Sequence, residues 1–458
     1  MSFAATKIST KTLTPESEQP EKTLKIAYLL HRFPHLSETF VMREIYALRQ
    51  AGVDVTVYSL MPPKHKLVHQ QAQELLDVTH YSPLLSGEVL AANWYYLRRK
   101  PLAYWRALKG VVKQTWLEPR VLALMLALFP KSVHFARELG RNGADHLHAH
   151  FVWIGAVAAS VVNELNGTPY SVQPHAFGLF SRPQDDVRAE LRRADKLVTI
   201  SNYNIRHIHA LCPEIALGDI ALIPCGIETE NWKPLEPQPT TKSKTKSKTA
   251  IPHIVSVGRF EEKKGFEYLL EACAELKRRG VAFRCSIGGN EAPELYAQIK
   301  RLELEDVVDM LGILPQPKVL ELYQNADIFA LACVEASDGN IDGIPVVLME
   351  ALACELSVVT SRLSGIPDLV VDNESGLLVT QRDAAELADA LERLIHSPEL
   401  RQRLGAAGRE VVLTRYDIDT NAALLVQTVK ELQTKELQAR KLHARELQTK
   451  EPQTTEPT

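Results

Sequence analysis

The stretch LKIAYLLHRFPHLSETFVMREIYALRQAGVDVTVYSL, residues 24–60, decides the fold class. Its first seven residues, LKIAYLL, are an apolar run of the length a buried parallel strand needs. Ser37 then opens a helical pattern, SETFVMREIYALRQAG, which Gly52 ends. VDVTVYSL (53–60) is a second apolar run. Strand, helix and strand in that order are the opening unit of a doubly wound α/β sheet.

The rhythm recurs along the chain. DHLHAHF (145–151) reads as a strand followed by a small-residue helix, VWIGAVAASVVNELNG, and TPYSVQPHA, DKLVTIS and IALIPCGI supply further strands. A second set begins at HIVSVGRF (253–260), with a helix to Arg279, and continues through FRCSIGG, VVDMLGI, ADIFALAC and LSVVTSR. Between the sets, EPQPTTKSKTKSKTA (236–250) is basic, rich in Pro, Ser and Thr, and without an apolar face, the composition of a flexible linker. The expected organisation is a disordered leader at 1–23, a first Rossmann-like domain at 24–232, a linker at 233–251 and a second Rossmann-like domain at 252–416. Two such domains make a cleft, and ligands of open α/β sheets sit beyond the carboxyl ends of the strands. The low-complexity tail, 433–458, carries ELQTK, ELQAR, KLHAR and ELQTK in succession from Glu431. At about 100° per residue a five-residue period winds Leu432, Leu437, Leu442 and Leu447 around a helix, so they cannot form a coiled-coil seam. A solvated helix or disorder is expected there.

Composition narrows the function classes. A net charge of −3 over 458 residues gives no reason to expect nucleic acid as a partner. The six cysteines form no CxxC pair, which indicates neither a zinc site nor a disulfide framework and suits a cytoplasmic protein. The N-terminus lacks the apolar core of a secretory signal. VLALMLALF (121–129) is too short to span a bilayer and is expected to be a core helix closed by Pro130. NWYYLRRKPLAYWRALKGVVKQTW (93–116) holds six basic residues and no acid, with Trp94, Trp105 and Trp116 spaced by eleven and Pro101 breaking or kinking the helix. Such a segment suits peripheral contact with an anionic membrane surface, or a helical hairpin with a basic outer side.

Two segments carry the chemistry. In VGRFEEKKGFEYLLEA (257–272) a strand ends at Gly258, a short loop brings Arg259, Lys263 and Lys264, and Gly265 precedes a helix. Cations and free helix N–H groups at a strand's carboxyl end form an anion site suited to phosphate, unlike a Walker A loop; the alternative is a solvated charged loop. In IDGIPVVLMEALA (341–353), Asp342 precedes an apolar helix and Glu350 sits inside it. The amides of Gly343 and Ile344 are free to face a ligand, and the two acids can accept hydrogen bonds from sugar hydroxyls. The alternatives are a turn or cap role for Asp342 and a buried ion pair for Glu350. His146, His148 and His150 alternate along one strand face. They are read as polar residues near a substrate, with His148 and His150 as candidate acceptor-side groups, and not as a metal site.

R-x4-K in VGRFEEKKGFEYLLEA followed by DGIPVVLMEALA resembles the retaining nucleotide-sugar glycosyltransferases of family 4, which have the GT-B fold. LPQPKVLELYQNADIFALA, SGIPDLVVDNESGLLV and IPCGIETENW add to the likeness, and HRFPHLSETFVMREI and HAHFVWIGAVAA resemble the branch that makes exopolysaccharides such as colanic acid or amylovoran. The resemblance implies two doubly wound Rossmann-like domains facing across a cleft, with a helix at 417–432 crossing back to the first. It implies that Arg259 and Lys264 hold the donor diphosphate, that Gly343 and Ile344 lie at the donor, and that Glu350 binds the donor ribose. Asp342 would face the donor sugar, although the family has Glu there and Asp is one methylene shorter. His175, in SVQPHAFGLF, matches the His presented to that sugar. The donor would be a nucleotide-diphosphate sugar acting as co-substrate, with no cofactor and no metal, and the acceptor a saccharide or lipid-linked saccharide. A nucleotide-sugar epimerase, or a non-catalytic sugar-nucleotide-binding subunit, would share much of this pattern.

Overall fold

The computed structural model describes residues 23–35, 38–64, 70–235 and 251–450. The leader up to residue 22, Ser37, most of the linker and the last eight residues of the tail lie outside the described residues.

The apolar runs of the first half become strands β1 (Lys25–Arg32), β2 (Asp54–Met61), β3 (Thr79–Tyr81), β4 (His146–His150), β5 (Tyr170–Gln173), β6 (Lys196–Thr199) and β7 (Ile220–Leu222). They pair in the order β3-β2-β1-β4-β5-β6-β7, and every pairing is parallel. The second half forms β8 (His253–Val257), β9 (Arg284–Gly288), β10 (Val308–Gly312), β11 (Ile328–Leu331), β12 (Ser357–Ser361) and β13 (Leu377–Val379). Their order is β10-β9-β8-β11-β12-β13, again all parallel. In both sheets the order of strand addition reverses beside the first strand, between β1 and β4 and between β8 and β11. A crevice opens at the carboxyl ends at such points.

Helices cover both faces of each sheet, so the central strands read as near-continuous buried runs. All five residues of β4 and of β12 are buried. On one face of the first sheet the helix Thr39–Gln50 buries Val41, Ile45 and Leu48, and Gly52, at φ +81°, turns the chain into β2. On the other face, helices Gly87–Arg99, Pro101–Thr115, Pro119–Asn142 and Ile154–Asn166 contribute to one apolar core.

The two halves are joined twice at one place. The Ile227 amide donates to the Tyr416 carbonyl at 2.9 Å, and the Ile418 amide to the Ile227 carbonyl at 3.0 Å. Gly226 must be a glycine here, because a Cβ would lie 2.6 Å from the Ile418 Cα. Beyond this crossing the helix Ile418–Lys450 returns to the first half. Its Ile418, Ala422, Leu425 and Val429 join the core that holds Ile45 and Leu48. Along the repeat, Leu437 and Leu442 are exposed, as their winding around the helix requires.

Two sequence expectations need correction, and two strands went unread. Pro130 does not close a helix: Pro119–Asn142 runs straight through it, and Ala123, Leu126 and Ala127 on the 121–129 segment are exposed instead of core. A proline costs a helix one hydrogen bond, and a long helix packed along its C-terminal half tolerates that loss. Ile227 and Trp232, placed in the first domain from sequence, pack in the core of the second. The short strands β3 and β13 were not read from the sequence at all.

Candidate functional site

A cavity of about 1140 Å³ lies between the two halves at the carboxyl ends of both sheets. The first half contributes His150 and His175, the second Arg259, Lys263, Lys264 and Asp342.

The basic loop leaves β8 at Gly258, makes a 3₁₀ turn at Glu262–Lys264 and enters the helix Phe266–Arg278 through Gly265. Gly265 has φ +62°, and a Cβ there would sit 1.9 Å from the Ala332 carbonyl oxygen, so only glycine lets the loop pack against the segment following β11. Lys264 Nζ lies 2.6 Å from Asp342 Oδ2, and Lys263 Nζ lies 3.3 Å from Asp342 Oδ1. Burial works to raise the Asp342 carboxyl, but the Lys264 and Lys263 ammoniums outweigh it and hold the group below its ordinary value. Burial likewise works to lower Lys264, and Asp342 outweighs it in the other direction. Both groups therefore stay charged within a largely dry wall. Arg259 is 57% exposed, pairs with Glu261 at 2.6 Å and extends into the cavity.

Gly343 and Ile344 line the cavity ahead of the helix Val346–Ala353, and Pro345 stands as its cap. Among the described residues their amides donate to no protein acceptor. A Cβ on Gly343 would lie 2.8 Å from Ile200 Cδ1, so the glycine also sets how closely the two halves approach.

Glu350 sits elsewhere. It is buried and does not line the cavity; its Oε1 pairs with Arg43 Nη2 at 3.2 Å, across the two halves. Arg43 Nε in turn pairs with Glu228 at 3.1 Å. Burial raises the Glu350 carboxyl, and Arg43 opposes that shift. Here the buried ion pair, the alternative weighed from sequence, describes the side chain.

The histidines divide as well. His150 and His175 reach the cavity, whereas His148 is fully buried behind them. The Ser171 hydroxyl lies 2.6 Å from His148 Nδ1 and 2.7 Å from His146 Nε2. Burial first, then the neighbouring imidazole, lowers His146 to about 3 and His148 to about 4. Glu44, His148 and His150 could surround a cation, since their donor atoms lie within 4.8 Å of one another. Each is already committed to hydrogen bonds, however, with His150 Nε2 3.0 Å from Glu44 Oε1 and the Tyr28 hydroxyl donating to the same oxygen at 2.6 Å.

Sequence reading missed Arg43 and Glu44. A signal was present: Glu44 falls on the apolar face of its helix with Val41, Ile45 and Leu48, where an acid needs a buried partner.

Comparison with known proteins agrees with this architecture. Residues 37–231 match the model for "Glycosyltransferase Family 4" and residues 237–411 that for "Glycosyl transferases group 1". The putative colanic acid biosynthesis glycosyltransferase WcaL of Escherichia coli (strain K12) is 30% identical over 80% of this chain and 90% of its own length. The amylovoran biosynthesis glycosyltransferase AmsK of Erwinia amylovora is 31% identical over 81% of this chain and 90% of its own. Among solved structures, Anabaena Alr3699/HepE in complex with UDP superposes with a TM-score of 0.65 at 16% identity, covering 89% of this chain and 100% of that one. A glycosyltransferase from Rickettsia africae gives 0.64 at 16% identity, covering 90% and 99%.

Proposed function

This chain belongs to the family 4 glycosyltransferases, with the GT-B fold, and on that premise we propose that it moves a sugar from a nucleotide-diphosphate donor to a saccharide or lipid-linked saccharide acceptor with retention at the anomeric carbon. Exopolysaccharide or cell-surface glycan synthesis is the proposed setting, by likeness to the colanic acid and amylovoran relatives.

The observation that carries the reading is the convergence of Arg259, Lys263 and Lys264 on the cavity that His175 faces from the other half. Breaking the bond between C1 and the phosphate oxygen builds positive charge on the sugar and negative charge on the departing diphosphate. Cations held in place before the reaction stabilise that leaving group without reorganising. Asp342 pairs with both lysines and keeps Lys264 charged, and in this reading its carboxylate faces the positive charge that grows on the sugar. In this reading the cations do the work of a metal ion, and transfer needs none. The free amides of Gly343 and Ile344 supply two further donors to the donor substrate.

Glu350, expected from the resemblance to bind the donor ribose, has no part in this reading: it is buried against Arg43 and lines no part of the cavity.

Contact with the inner face of a membrane completes the reading. Leu102, Trp105, Val112 and Trp116 are all exposed on or next to one helix, beside Arg106, Lys109 and Lys113. An exposed apolar ridge among cations suits anionic lipid, where a lipid-linked acceptor would be met. No described helix is long and apolar enough to cross a membrane.

The test is a screen of nucleotide sugars by thermal stabilisation, then transfer or hydrolysis of those that bind, with chelator present. Arg259→Ala should lower kcat on the order of 10²-fold or more. Turnover close to that of the parent protein would refute the assignment, and an inverted anomeric product would refute retention.

A further inference from the structure

The chain Tyr28–Glu44–His150–His175 runs from the core to the cavity wall, and none of its links is explained by packing alone. Glu44 is buried on the helix Thr39–Gln50, and its Oε1 accepts from the Tyr28 hydroxyl at 2.6 Å. His150 Nε2 lies 3.0 Å from that oxygen, and His150 Nδ1 lies 2.9 Å from His175 Nε2. The His175 ring packs between Phe40 and Phe151, at centroid distances of 4.7 and 4.8 Å, and lines the cavity. Its Nδ1 has no hydrogen-bond partner among the described residues.

The direction of these bonds follows from the carboxylate. Burial works to raise the Glu44 carboxyl, but the His150 imidazole, then His148 and the Tyr28 hydroxyl, bring it down to about 2, so it is an acceptor only. His150 must then carry its proton on Nε2. With that proton on Nε2, His150 turns Nδ1 to His175 as the acceptor, and the hydrogen between the two rings is assigned to His175 Nε2. Burial holds His175 neutral, because a second proton would need solvation the site does not offer. The nitrogen left facing the cavity is an unprotonated Nδ1.

We propose that Glu44 and His150 are positioning residues which fix His175 as its Nε2–H tautomer, so that His175 Nδ1 accepts a hydroxyl hydrogen from the bound donor sugar. This deepens the glycosyltransferase reading and rests on it. A hydroxyl donating to His175 joins a series of hydrogen bonds that all point the same way and end in a buried negative charge. Bonds in such a series polarise one another, and they strengthen as positive charge develops on the sugar. Cationic groups hold the diphosphate from the second half, while the first half presents the acceptor lone pair of His175 Nδ1 to the ring. A sugar lacking the hydroxyl that reaches His175 would leave a buried acceptor unmet, so the same contact discriminates among donors.

Nitrogen-15 NMR of the histidine-labelled full chain reads the tautomer directly. The expected result is a His175 with a protonated Nε2 and a bare Nδ1, and a Glu44→Gln variant in which that preference is lost because an amide can donate as well as accept. In that variant kcat should fall about tenfold or more while the donor KM changes less than about threefold, as for an interaction that grows in the transition state. A parent protein whose His175 carries its proton on Nδ1 overturns the inference, whether or not the variant folds. Loss of the tautomer preference with kcat unchanged also overturns it. Failure of the underlying reading looks different: the parent protein would turn over no nucleotide sugar, whatever the His175 spectrum shows.

Discussion

At the scale of single residues, Arg43 is the group that two carboxylates near the seam depend on. It is a guanidinium with two carboxylates, Glu228 and Glu350, in a nearly dry position between the halves. Removing one partner from a buried pair leaves the other charge uncompensated, which is costlier than the pair is worth. Arg43→Ala should therefore lose about 3 kcal/mol of stability in urea unfolding; a loss below about 1 kcal/mol would mean that water reaches the carboxylates freely. His148 allows a test by pH. Its folded value is lowered to about 4 by burial and by His150, with Glu44 and Gln173 opposing, whereas an unfolded histidine titrates near 6.5. The unfolded chain thus binds more protons between those limits, and stability from this residue is complete above pH 6.5 and is lost as pH falls toward 4. His148→Gln should flatten the fall in melting temperature over that window relative to the parent protein. An identical slope in both proteins would contradict the burial of a neutral ring.

At the scale of elements, the helix Pro101–Thr115 turns an unusual face outward. Leu102 is 78% exposed, Trp105 59% and Trp116, at its end, 62%, and Trp94 on the preceding helix is 62% exposed with Arg98 over its ring. Sedimentation with anionic vesicles should bring the protein down at low salt, and replacing Trp94, Trp105 and Trp116 by Ser should leave it in the supernatant. Equal sedimentation of the two proteins would locate any lipid contact elsewhere. What the sequence disclosed about elements follows from their length and burial. β1, β2 and β4 were legible because a strand covered on both faces is an apolar run. β3 and β13 are three-residue edge strands, and so short a segment has no period to read. Gly265 and Gly343 announced a tight backbone, but not that Ala332 and Ile200 are the neighbours requiring it. The pairing of Arg43 with Glu350 joins residues 307 positions apart. Nothing local marks such a pair, so Glu350 was read toward a ligand when its first partner is the other half of the protein.

At the scale of the whole molecule, the two Rossmann-like sheets and the cavity between them followed from rhythm and resemblance, whereas the seam between the halves did not. Ile227 and Trp232 belong to the second core although they precede the linker, because a seam is fixed by contacts and not by composition. Gly226 is the tightest point of that seam. Gly226→Val should reduce both melting temperature and donor turnover, since the added side chain meets backbone at Ile418, which cannot turn aside. Full retention of both would show that the seam yields easily.

The two passages between the halves lie shoulder to shoulder, Ile227 bonded on either side to Tyr416 and Ile418. Structures tied at two distant points can only flex by distorting their walls; tied along one short line, they swing like the covers of a book about its spine. The mouth of the cavity is then free to widen and narrow by rotation around residues 226–227 and 416–418, at the expense of the Arg43 clasp and of the bond from the Asn202 amide to Asp368, and of nothing inside either sheet.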